Sequence, residues 1–310
     1  MNTTANSALP QAESSPRKSI LDAARPLLRA LPRGSGTLYK WLGGYRQDPV
    51  WETSGLRTAE SLVHGHRLKL DLSDIVERET YYLGRFFEWE LQAAINQYVR
   101  PGDAFLDVGA NIGMVTMAAS AAVGPEGRVL SFEPNPAVRQ RLLGHVEMNG
   151  LENVQVFDNA LGSEPGSATL TTASAHTGTG TLRAQEGALN SYTVPVKTLD
   201  SLADLIPADR QVFLKIDTEG YDYNVLRGAR ELLARPGIRI FAEVSHKWMA
   251  ELGQTAREMF DYMEGLGFKA YHPRVEKGRR QRLKLERLVL PGPHHWFNAF
   301  FSRDEAANGR

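Results

Sequence analysis

The sequence predicts an α/β fold of the doubly wound, Rossmann-like type, in which helices cover a mostly parallel sheet. An apolar strand (Ala104 to Val108) runs through a glycine-rich turn into a helix of small residues (Ile112 to Ala122). A second apolar strand (Arg128 to Phe132) follows that helix and ends in an acid, Glu133. Strand, tight turn, helix, strand and terminal acid are typical of the nucleoside-binding half of such a sheet.

The turn after the first strand indicates which kind of nucleoside is bound. It reads Asp107-Val108-Gly109-Ala110-Asn111-Ile112-Gly113. Glycines allow positive φ and close approach of a ligand to the main chain, which a Cβ would obstruct. In the dinucleotide fingerprint a glycine stands where this chain has Asn111, because the backbone there must meet a pyrophosphate. The turn therefore disfavours a pyrophosphate, and Asp107 would repel phosphate but could meet an ammonium or a water-bridged amine.

Glu133 is the strongest candidate for a ribose ligand. A carboxylate at the end of the second strand can accept hydrogen bonds from both ribose hydroxyls. S-adenosylmethionine (SAM) carries a ribose, an ammonium and a carboxylate but no phosphate, so it fits this pattern. The alternative is that Glu133 only caps the helix that begins at Asn135-Pro136.

The residues before this nucleoside-binding half predict four features. Met1 to about Arg17 is polar and is expected to be disordered. Ile20 to Leu31 has helical periodicity, but Pro26 should break or kink a helix there. Val63 to Leu72 alternates like a pair of strands, and Phe86 to Val99 reads as a helix with its apolar side on the sheet.

The residues after Glu133 complete the sheet. Helices are expected over Pro136 to Met148, with Asn135 as its cap, and over Tyr223 to Leu233. Five further strands give a sheet of seven: Val154 to Phe157, Val212 to Ile216, Ile238 to Val244, Phe268 to Tyr271 and Trp296 to Phe301.

An insertion between Gly166 and Lys197 is a candidate substrate loop. It contains two strand-like pieces, Ser167 to Thr171 and Tyr192 to Val196, around a polar stretch that includes His176 to Thr181. Loops at the carboxyl ends of parallel strands commonly hold ligands.

Composition excludes several classes of function. The 310 residues include 36 Lys plus Arg and 36 Asp plus Glu, so no overall field attracts nucleic acid. Cysteine is absent, which rules out disulfides, thiolate nucleophiles and Cys-ligated zinc. The sequence has no apolar stretch near the roughly 18 residues of a membrane span and no signal-peptide core, so we expect a cytoplasmic protein.

Eight short motifs follow one another in the sequence: Tyr81 to Gly84, Phe87-Glu88, Arg100 to Asp103, Asp107 to Gly113, Phe132 to Pro136, Asn159 to Gly162, Val196 to Leu202 and Leu214 to Gly220. In this order they resemble the motifs of the FkbM family of SAM-dependent methyltransferases. The resemblance runs from about Gly65 to Ser302, and it implies an FkbM-type domain over residues 61–310 behind a partly disordered extension, residues 1–60. It also implies a class I SAM-methyltransferase fold, whose seventh strand runs antiparallel, and methylation of a hydroxyl on a sugar, glycan or secondary metabolite.

The resemblance extends the set of cofactor-binding candidates. It places adenine contacts at Asp158, Asn159 and Ala160, and it places Glu88 near the methionine end of SAM. The complete set is Glu88, Asp107, Gly109, Asn111, Gly113, Glu133, Asn135, Asp158, Asn159 and Ala160.

Four residues are candidates for the chemistry. Methyl transfer is an in-line displacement that depends on positioning, and a neutral hydroxyl needs a base or a metal to remove its proton. Asp217 and Glu219 follow one strand, whereas Glu243 and His246 belong to the end of the next. Asp217 could instead cap a helix, Glu243 could be a buried structural acid, and His246 could be a surface residue. The four could also hold a divalent cation such as Mg²⁺, although their spacing is not diagnostic.

Two other functions remain open from the sequence. One is a nicotinamide-dependent oxidoreductase on a related fold, and the other is a SAM-binding module without activity. The basic stretch Lys277 to Arg287 reads either as a solvated hairpin or as a site for an anionic substrate. His294 and His295 are candidates for an acceptor pocket only.

Overall fold

The chain divides into two compact units, Met1–Phe87 and Glu88–Arg310. The structure is a computed structural model that describes residues 15–31, 33–172, 180–182, 187–276, 282–292 and 295–304. Most of the first seventeen residues, His176, His294 and the start of the basic stretch lie outside the described residues. The domain start expected at residue 61 stays a prediction, because compactness alone does not define a family domain.

The first unit is a small helical cluster with one hairpin. Its core contains Leu21, Leu28, Tyr39, Trp51 and Tyr82, each at most 1% exposed. Its elements are α1 (Pro16–Ala30), α2 (Ser35–Trp41), α3 (Val50–Ser54), β1 (Leu56–Glu60), β2 (Arg67–Asp71) and α4 (Ile75–Leu83).

Two predictions in the first unit need correction. The break expected at Pro26 is wrong, because helix α1 continues through the proline, with Leu21 and Leu28 on either side held in the core. The kink that was the other expectation there stays a prediction. The hairpin pairs β1 with β2, so its first strand precedes Val63. The residues expected to form that strand make the connection instead, in which Gly65 has a φ of 75° and the Ser61 amide donates to the His66 carbonyl.

The second unit contains the predicted α/β domain. Its helices are α5 (Trp89–Tyr98), α6 (Met114–Val123), α7 (Pro136–Met148), α8 (Asp222–Arg227), α9 (Arg230–Leu233), α10 (His246–Glu251) and α11 (Ala256–Gly265). Its strands are β3 (Ala104–Val108), β4 (Arg128–Phe132), β5 (Val154–Phe157), β6 (Ala160–Leu161), β7 (Gly166–Thr172), β8 (Gly180–Thr181), β9 (Asn190–Lys197), β10 (Val212–Ile216), β11 (Arg239–Ser245), β12 (Lys269–Glu276), β13 (Arg282–Arg287) and β14 (Trp296–Ser302).

The main sheet confirms the predicted fold class. Its order is β13-β12-β14-β11-β10-β3-β4-β5, in which β5, β4, β3, β10 and β11 are mutually parallel. Strand β14 runs antiparallel to both of its neighbours, as expected for the last strand. An eighth strand, β13, pairs with β12 at the edge. The sequence analysis did not count β13 as a strand of the sheet. It interpreted the basic stretch as a solvated hairpin or an anionic-substrate site, and the antiparallel pairing of β13 with β12, with basic residues at its exposed positions, agrees with the hairpin.

The centre of the sheet is buried on both faces. Every residue of β3 and of β10 is buried, including the polar Asp107 and Lys215. Parallel strands place their carboxyl ends at one edge, so the segments after β3, β4, β10 and β11 meet there. This edge positions the candidate site.

The helix predicted over Tyr223 to Leu233 is interrupted. It forms α8 and α9, which are separated at Gly228. A Cβ on Gly228 would lie 2.0 Å from the Gly162 carbonyl oxygen, so this position requires close backbone approach. Among the described residues, none of the helices has both the length and the apolar character needed to cross a membrane.

The predicted insertion forms a separate sheet of four strands in the order β6-β9-β7-β8. Strands β7 and β9 pair antiparallel, which confirms both strand-like pieces of the insertion. The hydroxyl of Thr171 donates to the Thr181 carbonyl across the β7–β8 pair.

Replacing Pro26 tests the continuous α1. Alanine restores an amide donor for the Asp22 carbonyl, and proline in a helix interior costs about 3 kcal/mol relative to alanine. The lower entropy of unfolded proline offsets about 1 kcal/mol of that difference. We therefore expect Pro26→Ala to raise the unfolding free energy of the first unit by about 2 kcal/mol, measured by denaturant unfolding. Pro26→Gly should give a smaller gain, and a destabilised alanine variant would contradict the continuous helix.

Candidate cofactor and acceptor site

The site is built at the carboxyl edge of the main sheet. The turn after β3 supplies its floor, and acids from the ends of neighbouring strands surround that turn. Asp217 directly follows β10 and its amide donates to the Val108 carbonyl at 3.1 Å. The glycine turn and the candidate catalytic turn therefore share backbone hydrogen bonds.

Gly109 is required by its surroundings. Its φ is 74°, and a Cβ there would lie 1.8 Å from the Asp217 carbonyl oxygen. The amides of Gly109 and Ala110 both donate to the Phe132 carbonyl, at 3.1 and 3.0 Å. The turn is thus clamped between the ends of β4 and β10, and its positive φ is satisfied by glycine.

Asn111 occupies the left-handed region without being glycine, with a φ of 51°. Asparagine tolerates this conformation better than most residues, and its side-chain oxygen accepts from the Ile112 amide at 2.8 Å. Gly113 has a φ of 90°, and a Cβ there would meet the Leu142 side chain at 2.3 Å. Behind the turn, Nδ1 of buried His145 lies 2.7 Å from the Ile112 carbonyl oxygen, which requires that nitrogen to be the donor.

Glu133 lies at the mouth of the turn and is 8% exposed. Its Oε2 accepts from the Asn111 amide at 2.9 Å, and its Oε1 accepts from the Asn135 amide at 2.8 Å. Burial raises the pKa of Glu133 to about 7, against the lowering effects of these two amides and of Lys215. Each carboxylate oxygen has a second acceptor position, so the held carboxylate can still accept two ribose hydroxyls.

Asn135 has the predicted helix-capping role. Its side-chain oxygen accepts from the amides of Ala137 and Val138 at the start of α7. Asn135 is also 7% exposed, and its amide fixes the Glu133 carboxylate. Any direct contact between Asn135 and a cofactor stays a prediction.

Asp107 lies beneath the turn and is fully buried. Its Oδ2 accepts from the Thr116 hydroxyl at 2.6 Å, and its Oδ1 lies 3.3 Å from the Lys215 ammonium. Thr116 in turn shares a hydrogen bond with Ser131 at 2.9 Å. The carboxylate is therefore compensated inside the protein, and its predicted approach to an ammonium of the cofactor stays a prediction.

Glu88 begins α5, and it interacts electrostatically with the same centre. The residue is partly buried, and desolvation of its carboxyl group raises its pKa to about 7. Lys215 acts in the opposite direction, while Asp217 and Asp107 raise this pKa further. Glu88 thus belongs to one electrostatic group with Asp107, Asp217 and Lys215. Its contact with the methionine end of SAM stays a prediction.

The candidates after β5 differ in exposure. Asp158 is exposed, whereas Asn159 is 1% exposed and Ala160 is 5% exposed. The Asn159 amide nitrogen donates to the Ala160 carbonyl at 3.0 Å. The Asn159 side-chain oxygen is buried and has no hydrogen-bond partner among the described residues, so it can still accept one.

Asp217 and Glu219 follow β10 at the same edge of the sheet. The Asp217 side chain is 33% exposed, and its Oδ2 lies 3.7 Å from the Lys215 ammonium. Glu219 has a φ of 54°, which is rare for a residue with a side chain. Its carbonyl accepts from the Thr181 hydroxyl at 3.4 Å, so strand β8 of the insertion contacts this turn.

Asp222 supports this turn from below. It is 1% exposed, and its Oδ2 accepts from the Thr218 hydroxyl at 3.1 Å and the Gly220 amide at 3.3 Å. Burial, and then the charge of Asp217, raises the pKa of Asp222 to about 7. Asp222 therefore fixes the segment between Asp217 and α8.

Glu243 on β11 is electrostatically coupled to the same acids. Burial is the largest cause that raises its pKa to about 10, followed by the charges of Asp217, Asp222 and Glu219. At neutral pH Glu243 is therefore protonated and cannot itself accept a proton. The neighbouring His246 begins α10, and its ring centroid lies 5.9 Å from that of Phe297. Within the described ranges, no group of three or more His, Asp and Glu residues could hold a metal ion.

The sequence analysis did not propose a role for three buried residues beneath the turns of this site, which are Lys215, Asp222 and Thr116. Lys215 stands in an apolar strand, Val212 to Ile216, where a lysine signals a buried charge. Asp222 follows the glycine that ends the Asp217 motif and could have been recognised as a turn-supporting acid. Thr116 gave no signal because its partner, Asp107, is distant in sequence.

Replacing Gly109 by alanine tests the close approach of the two turns. We expect a loss of about 3 kcal/mol in unfolding free energy, because overpacking and a strained φ act together. Gly144→Ala is the matched control, since nothing lies within 4 Å of its added Cβ and it is in the middle of α7. The control should gain about 0.5–1 kcal/mol, and a tolerated Gly109→Ala would contradict the described clamp.

Asp222→Asn tests how much the buried charge of Asp222 lowers the unfolding free energy. A raised carboxyl pKa means that ionisation destabilises the folded state as pH rises from about 4 to about 7. Relative to the wild type, the unfolding free energy of the variant should therefore increase by up to about 1.4 kcal/mol per pH unit over this range. The difference should persist at pH 8. Denaturant unfolding at pH 5 and pH 8 measures this, with exposed Asp209→Asn as the control. An advantage that does not grow with pH would contradict the raised pKa.

Comparisons with known proteins identify the family. Residues 107–270, more than half of the chain, match the family described as the Methyltransferase FkbM domain. Methyltransferase 1 of Beauveria bassiana (strain ARSEF 2860) is 30% identical over 148 residues, which cover 41% of this chain and 59% of that protein.

Solved structures give weaker similarities. Methyltransferase FkbM from Methylobacillus flagellatus KT has a TM-score of 0.41 at 14% identity, covering 74% of this chain and 55% of that chain. Aeropyrum pernix fibrillarin, solved with natively bound S-adenosyl-L-methionine, has a TM-score of 0.41 at 13% identity, covering 80% of this chain and 83% of that chain. Similarity at this level carries no argument about function, whereas the match over residues 107–270 establishes that the chain belongs to the FkbM methyltransferase family.

Proposed function

We propose that this protein is a SAM-dependent methyltransferase that transfers a methyl group to a hydroxyl oxygen of a small molecule or glycan. The observation that carries the proposal is the Glu133 carboxylate, held by the Asn111 and Asn135 amides at the mouth of a glycine turn. Such a carboxylate suits a ribose, and the turn carries a side chain where a pyrophosphate would need bare backbone. Membership of the FkbM methyltransferase family supports the same reaction.

The residues around the turn suit the three parts of the cofactor. Glu133 would accept the ribose hydroxyls, and the unpaired side-chain oxygen of Asn159 would accept from the exocyclic amine of adenine. Glu88 would interact with the ammonium of the methionine part. A sulfonium and an ammonium are both cationic, so the carboxylates along this edge favour such a ligand over an anionic one.

Asp217 is the proposed base. Its side chain is partly exposed, and its Oδ2 lies 3.7 Å from the Lys215 ammonium. The acceptor hydroxyl would attack the methyl carbon in line with the breaking C–S bond while Asp217 takes the hydroxyl proton. The products are a methyl ether, S-adenosylhomocysteine and a protonated carboxyl group.

Glu243 and Glu219 would have supporting roles in this reaction. A protonated Glu243 can donate a hydrogen bond to the acceptor oxygen or to another carboxylate, but it cannot remove a proton. Glu219 belongs to the turn that strand β8 contacts, so it could link the insertion to an acceptor. A hydroxyl-rich acceptor such as a sugar suits an edge formed by carboxylates and threonine hydroxyls.

Calorimetric titration tests the cofactor assignment. We expect wild-type protein to bind SAM and not NAD, with affinity that increases as pH rises through about 7, because ribose binding favours ionised Glu133. Glu133→Gln should lower SAM affinity by at least tenfold at pH 8, since the amide keeps one acceptor oxygen and loses the charge. The control is Glu147→Gln, an exposed substitution on α7 that should leave affinity unchanged. Preferential binding of NAD would contradict the proposal and favour a nicotinamide-dependent oxidoreductase.

Turnover tests the chemistry. On a panel of glycans and hydroxylated metabolites, Asp217→Asn should lower kcat by about 10²–10⁴ while the SAM affinity stays within a few-fold. Methyl transfer that is equally fast in this variant would exclude Asp217 as the base. SAM binding without turnover on any acceptor would instead favour a non-catalytic SAM-binding module.

A further inference from the structure

Lys215 is an ammonium in the middle of a buried sheet. It is 3% exposed, and the whole of β10 on which it stands is buried. Lysine is almost never fully buried unless it is paired, because removing its charge from water is unfavourable. Its partners should therefore reveal what the side chain does.

The ammonium contacts the backbone of the cofactor turn directly. Its Nζ donates to the Gly109 carbonyl at 2.7 Å and to the Val108 carbonyl at 3.3 Å. These are the last residue of β3 and the first glycine of the turn. An ammonium has three N–H groups, so it can donate to both carbonyls and still face a third group. Its positive charge is paired with the Asp107 carboxylate, whose Oδ1 lies 3.3 Å from Nζ.

The same ammonium interacts electrostatically with four carboxylates that lie in or beside four different elements. Asp107 belongs to β3, Asp217 follows β10, Glu88 precedes α5 and Glu133 follows β4. Lys215 lowers the pKa values of Glu88 and Glu133, whereas Asp107 raises both. Desolvation disfavours the charged ammonium itself, but the charges of Asp107, Asp217 and Glu88 outweigh that effect and raise the Lys215 pKa.

We propose that Lys215 is a positioning residue for the cofactor site, which fixes the glycine turn through the Val108 and Gly109 carbonyls. This inference rests on the proposed function, since it assigns Lys215 a role in binding SAM. In this role Lys215 need not contact the cofactor. It acts through the turn and through the carboxylates that do.

The Lys215–Asp107 pair gives a test with opposite signs. Lys215→Met removes the attraction that keeps Glu133 and Glu88 ionised, so the pH midpoint of binding should rise by roughly one unit. Asp107→Asn removes a repulsion and leaves the ammonium, so the midpoint should fall. A residue that only supports the fold would weaken binding in both variants without moving the midpoint.

The experiment is calorimetric titration with S-adenosylhomocysteine from pH 6 to pH 9. This ligand keeps the ribose, adenine and amino acid tail of SAM. The proteins compared are wild type, Lys215→Met, Asp107→Asn and the double variant Asp107→Asn/Lys215→Met, with exposed Lys40→Met on α2 as the control. Thermal unfolding at each pH confirms that each variant is folded.

The double variant guards against misfolding. It removes both charges, so it avoids the unpaired carboxylate that Lys215→Met leaves buried. We expect its midpoint to lie near that of the wild type and its affinity to be at least tenfold weaker, because the Gly109 carbonyl loses the ammonium and the Val108 carbonyl keeps only the Asp217 amide. The control should match the wild type in both quantities.

The outcomes separate two failures. If wild-type protein does not bind S-adenosylhomocysteine at any pH, the proposed function fails. If it binds and the midpoint of folded Lys215→Met stays at the wild-type value, the role of Lys215 is overturned while the proposed function stands. A wild-type affinity in the double variant would likewise overturn it, even if Lys215→Met does not fold.

Discussion

The Asp107–Lys215 ion pair beneath the glycine turn is the interaction on which the site depends. Both partners are buried at the centre of the sheet, and the ammonium lies 3.3 Å from the Asp107 carboxylate. A buried pair of this kind is expensive to dehydrate and is stable only when its remaining donors and acceptors are satisfied. Here the Thr116 hydroxyl donates to Oδ2 of Asp107, and the ammonium donates to the carbonyls of the turn itself. Oδ1 of Asp107 has no hydrogen-bond partner among the described residues, so it depends on the charge of Lys215. The ion pair thereby holds Lys215 where its ammonium fixes the backbone of the glycine turn.

The acids along the same edge follow from this arrangement. Glu133, Glu88 and Asp222 each have a pKa raised to about 7, and Glu243 has a pKa raised to about 10. Such a crowd of carboxylates destabilises the folded protein near neutral pH unless cations or protons balance it. Lys215 supplies one balancing charge, and a cationic cofactor would supply another. The edge is thus suited to a sulfonium ligand and poorly suited to a phosphate.

Much of the fold could be predicted because its apolar strands have clear ends. Strands Ala104–Val108, Arg128–Phe132 and Val212–Ile216 have the bounds that the sequence predicts, as does the helix Pro136–Met148. Glycine or asparagine stands next to half of these ends. The pattern failed where charge or tertiary contact decided the structure. Strand β13 is strongly basic at its exposed positions, and α1 is held through its proline by buried leucines.

For the candidate site, the sequence predicts the residues that stand in short motifs around the glycine turn, but it does not predict the buried residue pairs beneath that turn. Glu133, Asn111 and Asp217 stand in short motifs whose residue types state their chemistry. The buried pairs join residues that are distant in sequence, such as Asp107 with Lys215 and Thr116 with Ser131. Residue types alone do not reveal such pairs, because a buried lysine and a buried threonine have many possible partners.

The most direct test of the account is a crystal structure of the protein with S-adenosylhomocysteine. The account predicts both ribose hydroxyls within hydrogen-bond distance of the Glu133 carboxylate, with the adenine beside Asn159 and the sulfur facing Asp217. A ligand bound elsewhere, or a ribose that Glu133 does not contact, would contradict it.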